Sequence, residues 1–126
     1  MRFVILNHQA PTSDESSSAR SLQDHFDLMF ETSESNLLKT FAVPQLPNPE
    51  ETIEFAPLSD HRAAYLDYEG PISNNRGEVT QHASGIWDGE LNKQIELSFD
   101  SESKHFAGEQ WTLRFDQQSK TLLRCS

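Results

Sequence analysis

The seven residues His25-Phe26-Asp27-Leu28-Met29-Phe30-Glu31 alternate without a break. Phe26, Leu28 and Phe30 fall on one side; His25, Asp27, Met29 and Glu31 fall on the other. A period of two excludes an amphipathic helix here and predicts a strand with one face against a core. The opposite face then presents an imidazole and a carboxylate two positions apart, about 6.6 Å along the strand. Side chains at that spacing can lean together and share one small cation. A mixed nitrogen and oxygen set suits Mn²⁺, Zn²⁺ or Fe²⁺ rather than a metal that prefers thiolates.

The same pattern recurs along the chain. Residues 2–8 read as a first strand, with Phe3 and Ile5 on one side and Val4, Leu6 and His8 on the other. Residues 11–21 are polar and contain Ser16-Ser17-Ser18, which predicts a surface loop closing in a short helical turn over 19–23. A turn at 33–36 and a strand at 37–43 make residues 25–43 a β-hairpin. Pro44, Pro47 and Pro49 forbid regular pairing beyond it. A short strand is expected at 52–58, followed by a segment of mixed character at 60–68. Turn signals follow at Glu69-Gly70-Pro71 and Asn74-Asn75-Arg76-Gly77. Residues 78–87 read as a strand in which Gly85 marks a bulge or a close approach. Asp88-Gly89 signals a hairpin turn, and strands at 93–99, 110–115 and 121–124 complete the set. Roughly eight short strands at hairpin spacing, with little helix, predict an all-β fold, an antiparallel barrel or sandwich.

At 126 residues the chain has the length of one domain, 1–126, with one core. No apolar run approaches the length of a membrane span, no secretory signal pattern is visible, and the one cysteine, Cys125, has no intrachain partner. A cytoplasmic protein is expected. The net charge of −10, from 20 acidic and 10 basic residues, argues against a general nucleic-acid coat, because non-specific binding rests on basic side chains neutralising phosphates. Phosphate binding by such a chain has to be local, at a spot where a metal and a few basic groups converge.

Five histidines are available for such a spot: His8, His25, His61, His82 and His105. His8 ends the first strand and His25 begins the second. Antiparallel neighbours would bring His8 to the His25–Asp27 pair and make a three-ligand metal site. The competing expectation is three polar residues on the solvated face of a sheet. His82 and His105 are expected at the surface, and Trp87 and Trp111 in the core.

These segments, in order over nearly the whole chain, resemble the 3′-phosphoesterase module of bacterial DNA ligase D. Arg2-Phe3-Val4 leading to His8-Gln9-Ala10 resembles its first strand and first histidine, and His25-Phe26-Asp27 with Glu31 its His-aromatic-Asp strand. Leu38-Lys39-Thr40-Phe41-Ala42-Val43-Pro44 resembles its Leu-Lys-Ser-Trp-Ala-Val-Pro segment. Asp60-His61 with Tyr65, then Asp67-Tyr68-Glu69-Gly70, resembles its second catalytic segment, and Gly85-Ile86-Trp87 and Trp111-Thr112-Leu113 match later strands. The resemblance implies a closed antiparallel β-barrel and a Mn²⁺-dependent activity, with Zn²⁺ an alternative ion, that trims 3′-phosphates and 3′-terminal ribonucleotides. It implies His8, His25 and Asp27 as metal ligands, His61 on the scissile phosphate, Tyr65 beside it and Lys39 near the phosphate. The implied partner is the 3′ end of DNA or of a DNA/RNA primer, with a DNA ligase or another repair protein as a further partner of a monomer.

The chain also departs from that family. The family arginine two residues past the Asp is Met29 here, and methionine donates no hydrogen bond. The basic residue after Val-Pro is Gln45, and the span from His8 to His25 is longer. Arg62 and Arg76 are the local replacements for the lost charge, and Lys39, Arg62 and Arg76 are expected on the same side as the histidines. Two other functions compete: a non-catalytic module that binds a DNA end or a repair protein, and an esterase for a small phosphorylated substrate.

Overall fold

The alternation at residues 25–31 becomes strand β2 (His25–Phe30), paired antiparallel on one side with β1 (Arg2–Gln9) and on the other with β3 (Leu37–Val43). The structure, a computed structural model, describes residues 1–10, 24–72 and 77–125. The segments expected to form the serine-rich loop and its helical turn, and most of the Asn-Asn-Arg-Gly segment including Arg76, lie outside the described residues.

The remaining strands are β4 (Thr52–Glu54), β5 (Ala56–Arg62), β6 (Gly70–Pro71), β7 (Glu78–Glu90), β8 (Gln94–Phe99), β9 (Gln110–Asp116) and β10 (Thr121–Arg124). They form one antiparallel sheet in the order β4-β10-β9-β8-β7-β1-β2-β3-β5, with the short β6 laid on β7. A 3-10 turn, Ala63–Leu66, follows β5 directly. The expected strand at 52–58 is two strands, and β5 runs further than expected, to Arg62. The edge strands β4 and β5 do not pair with each other, so the sheet is not closed by a hydrogen-bonded ladder. They are nevertheless joined by a single residue, Phe55, so the sheet must curl until its two ends meet.

The concave face of that curl holds the main core. Phe3, Ile5, Leu28, Phe30 and Phe41 come from one half, and Leu97, Trp111, Leu113 and Phe115 from the other. Phe55 packs edge-on against Phe41 and against Phe115 at 5.4 and 5.5 Å between ring centroids, sealing the seam with aromatic contacts where backbone bonds are missing. Trp111 is buried as expected; Trp87 is half-buried, its indole N–H donating to the Glu31 carbonyl at 2.9 Å.

Two local expectations change. The strand containing Asp88-Gly89 does not turn there: Asp88 pairs with Glu96 and Gly89 with Ile95, and the hairpin tip is residues 91–93. Asn92 takes the left-handed conformation at φ 74°, a role asparagine accepts more readily than most residues. Gly89 is needed for a close approach instead, because a Cβ there would stand 2.5 Å from the Gln94 carbonyl oxygen.

The second change concerns His82 and His105, expected at the surface. His105 is exposed, but His82 is half-buried and lies flat on it, with centroids 3.8 Å apart and planes 6° apart. The Nδ1 of His105 donates to the His82 carbonyl at 3.0 Å, and the Phe26 ring meets His82 at 5.0 Å. Burial, and then the nearby His105, hold the His82 pKa below the ordinary histidine value. The unfolded chain therefore takes up a proton near pH 6.5 that folded His82 resists. This contribution to stability is intact above about pH 6.5 and is lost progressively as the pH falls below it, towards the depressed value. Denaturant midpoints measured on both sides of about pH 6.5 should differ less in His82→Phe than in the native chain. An unchanged difference would remove His82 as the linked group.

Candidate functional site

The register of β1 on β2 assembles the site. His8 is directly opposite His25, Leu6 opposite Asp27 and Val4 opposite Met29. Side chains of opposed residues share a face, so His8, His25, Asp27 and Met29 stand together on the convex face, behind the main core. The Nδ1 of His8 lies 2.9 Å from one carboxylate oxygen of Asp27, and the Nε2 of His25 lies 3.0 Å from the other. The two imidazole centroids are 4.6 Å apart.

Asp27 is only 2% exposed, which the alternation did not foretell. Both faces of β2 are covered. Val4, Leu6, Met29, Leu38, Leu66 and Val79 form a second apolar cluster on the convex face, beneath Tyr65 and the 3-10 turn. Burial raises the Asp27 pKa and is the largest single influence. The hydrogen bonds from His25 and His8, followed by their charges, together outweigh it and leave the carboxyl below its ordinary value. The group is an anion at neutral pH, as a metal ligand must be.

The three donor atoms lie within 4.8 Å of one another and can hold a metal ion. Each imidazole nitrogen meets a different oxygen of the carboxylate, at 2.9 Å for His8 and 3.0 Å for His25, so Asp27 faces both histidines at once. Two neutral imidazoles and one carboxylate also suit a borderline divalent cation chemically. Ion binding would replace the protons now shared between each imidazole and Asp27.

His61 stands further across the same face. Thr40 is opposite Met29 on β3, one strand across and one side-chain row along from Asp27, roughly 8 Å between Cα atoms. His61 Nδ1 lies 3.1 Å from the Thr40 hydroxyl and 2.9 Å from the Ser59 carbonyl oxygen. A carbonyl only accepts, so Nδ1 carries the proton. The Thr40 hydroxyl donates to the Leu38 carbonyl and is left to accept from His61. These contacts fix the tautomer of neutral His61 and leave the lone pair on Nε2. Tyr65, on the 3-10 turn, meets the imidazole edge-on at 5.5 Å.

The other sequence candidates are dispersed. Lys39 is paired with Asp60 at 3.9 Å and lines a different cleft with Met1, Glu34, Trp87 and Asp88, so it is not gathered with the histidines. His61 is oriented by Thr40 and the Ser59 carbonyl. Arg62 lies beside Tyr65 and Tyr68, and Arg76 lies outside the described residues. Glu69 is a structural clamp: it accepts from the Gln81 amide at 2.6 Å and from Lys104 at 3.3 Å, and these contacts lower its pKa. Thr40 is the positioning residue that sequence reasoning missed. Its signal was a hydroxyl residue where the resembled segment has serine.

No protein-family model and no curated protein matches the chain. Among the described residues no helix is long and apolar enough to cross a membrane.

Proposed function

We propose that the chain is a divalent-metal-dependent phosphoesterase that removes a terminal phosphate from a 3′ end of nucleic acid. The observation that carries this reading is the His8–His25–Asp27 cluster on the same face as a histidine whose tautomer is fixed. The resemblance to the ligase D 3′-phosphoesterase module supplies the substrate class, and Mn²⁺ as the ion. A bound cation polarises a phosphoryl oxygen and lowers the pKa of water. His8, His25 and Asp27 would hold that cation. Water adds to phosphorus, the P–O3′ bond breaks with its electron pair going to the 3′ oxygen, and that oxygen takes a proton. His61 Nε2 is the group available to accept a proton from water or, once protonated, to steady a phosphoryl oxygen.

Met29 bears on how phosphate is held. It is 1% exposed within the second apolar cluster, so this position supports packing and offers no cation. Any guanidinium contact must come from elsewhere, and Arg62 is the nearest candidate along β5. The position of Lys39 away from the site, with the charge of −10, favours a grip on one terminal nucleotide over a long polynucleotide track.

A primer ending in a 3′-phosphate, incubated with Mn²⁺, should release inorganic phosphate. His61→Ala should lower the rate by about 10²- to 10³-fold while leaving metal binding intact. A native chain that binds Mn²⁺ but leaves such a primer untouched is a binding module instead.

A further inference from the structure

Next to His61 lies a cavity of about 200 Å³ bounded by Arg62, Ala64, Tyr65, Tyr68 and Pro71. The Tyr65 ring stands between His61 and Tyr68 and meets both edge-on, at 5.5 and 5.6 Å. Tyr68 is held in place although it is 36% exposed. Its hydroxyl donates to the Pro71 carbonyl, and a Cβ on Gly70, whose φ is 135°, would come within 3.0 Å of that hydroxyl. Among the described residues the wall therefore consists of two phenol rings, two small aliphatic residues and one guanidinium, with no carboxylate on it. In a chain of net charge −10 a cavity walled by two tyrosines and an arginine stands out from the surface.

Aromatic faces beside a guanidinium suit a flat heterocycle that carries an anion at one end. We propose that this cavity is the subsite for the nucleobase of the terminal nucleotide, whose phosphate is held at His61. The proposal rests on the phosphoesterase reading and deepens it, because it assigns the residues that hold the base of that 3′ end. Tyr65 acts as the divider, with the phosphate on its His61 side and the base on its Tyr68 side. Stacking on phenol rings tolerates any base, so little preference among the four bases is expected.

The test uses the intact chain with Mn²⁺ and three probes: inorganic phosphate, adenosine and adenosine 3′-monophosphate. The native chain should bind the nucleotide roughly tenfold more tightly than inorganic phosphate. Tyr68→Leu should erase that advantage and leave phosphate affinity unchanged, while Tyr68→Phe, which keeps the ring, should retain it. Near-ultraviolet circular dichroism on each variant checks that the fold persists. Equal native affinity for nucleotide and phosphate, or an advantage that survives in Tyr68→Leu, overturns the base subsite. If inorganic phosphate fails to bind but adenosine binds in a Tyr68-dependent way, the subsite stands and the phosphoesterase reading falls.

Discussion

Asp27→Ala is expected to lower Mn²⁺ or Zn²⁺ affinity by at least about a hundredfold, since losing even an outer partner of a metal ligand costs about 10- to 100-fold. The carboxylate is the anionic member of the cluster and contacts both imidazoles, so its removal takes away a ligand and the group that holds the other two in place. Isothermal calorimetry should show one site per chain in the native protein and no resolvable site in the variant. In the native protein the affinity should fall at acid pH, because an imidazole must be deprotonated to bind a cation. The carboxyl also adds an acid-dependent component to the stability of the metal-free chain. Its folded pKa is depressed, so between the ordinary value near 4 and the depressed one the unfolded state holds a proton that the folded state lacks. That stabilisation is fully present above about pH 4 and disappears as the pH falls through the folded value. Native-like metal binding by Asp27→Ala would dismiss the cluster as a metal site.

Gly85→Ala should destabilise the fold by about 3 kcal/mol, the upper end for an overpacked core position. An added Cβ would stand 2.1 Å from the Ser98 carbonyl oxygen and 2.9 Å from both the Phe99 Cα and the Phe3 ring. Two of these atoms are backbone of β8, so relief requires opening the ladder between β7 and β8 as well as moving a core phenylalanine. Gly108→Ala makes a useful comparison. It has a φ of 77° but nothing within 4 Å of an added Cβ, so only the conformational cost of about 1 kcal/mol applies. Chemical denaturation that ranks the two variants in the opposite order would refute the packing argument.

The legible parts of this chain are those in which one strand carries its own evidence. The alternation at Phe26, Leu28 and Phe30, at Ile95, Leu97 and Phe99, and at Trp111, Leu113 and Phe115 marks residues that do line the main core. The seven residues 37–43 and the four residues 121–124 are strands with the expected ends. The meeting of His8 with His25 was also readable, because adjacent antiparallel strands place the end of one beside the start of the next. The burial of Asp27 and Met29 was not readable. Their cover is the 3-10 turn at Ala63–Leu66 and the second apolar cluster, which come from distant segments that no local period announces. The Asp88-Gly89 pair misled for a related reason: a glycine can serve a close approach within a strand as well as a turn, and only the partner strand decides which. The grip of Thr40 on His61 depends on the pairing of β3 with β5, which shifts register between Leu38 and Thr40.

The seam at Phe55 bears on what the two edges of the sheet offer to another strand. A sheet that is not closed has two edges, and a long flat edge invites another strand to add to it. Here one edge, β4, is three residues long. The other, β5, carries Pro57, which has no N–H to offer an incoming strand, and near its end it carries the charged side chains of Asp60 and Arg62. The aromatic seal and these two short or interrupted edges leave little unpaired backbone in a form that an incoming strand could extend. The same edge strand that carries His61 is thereby a poor template for strand addition.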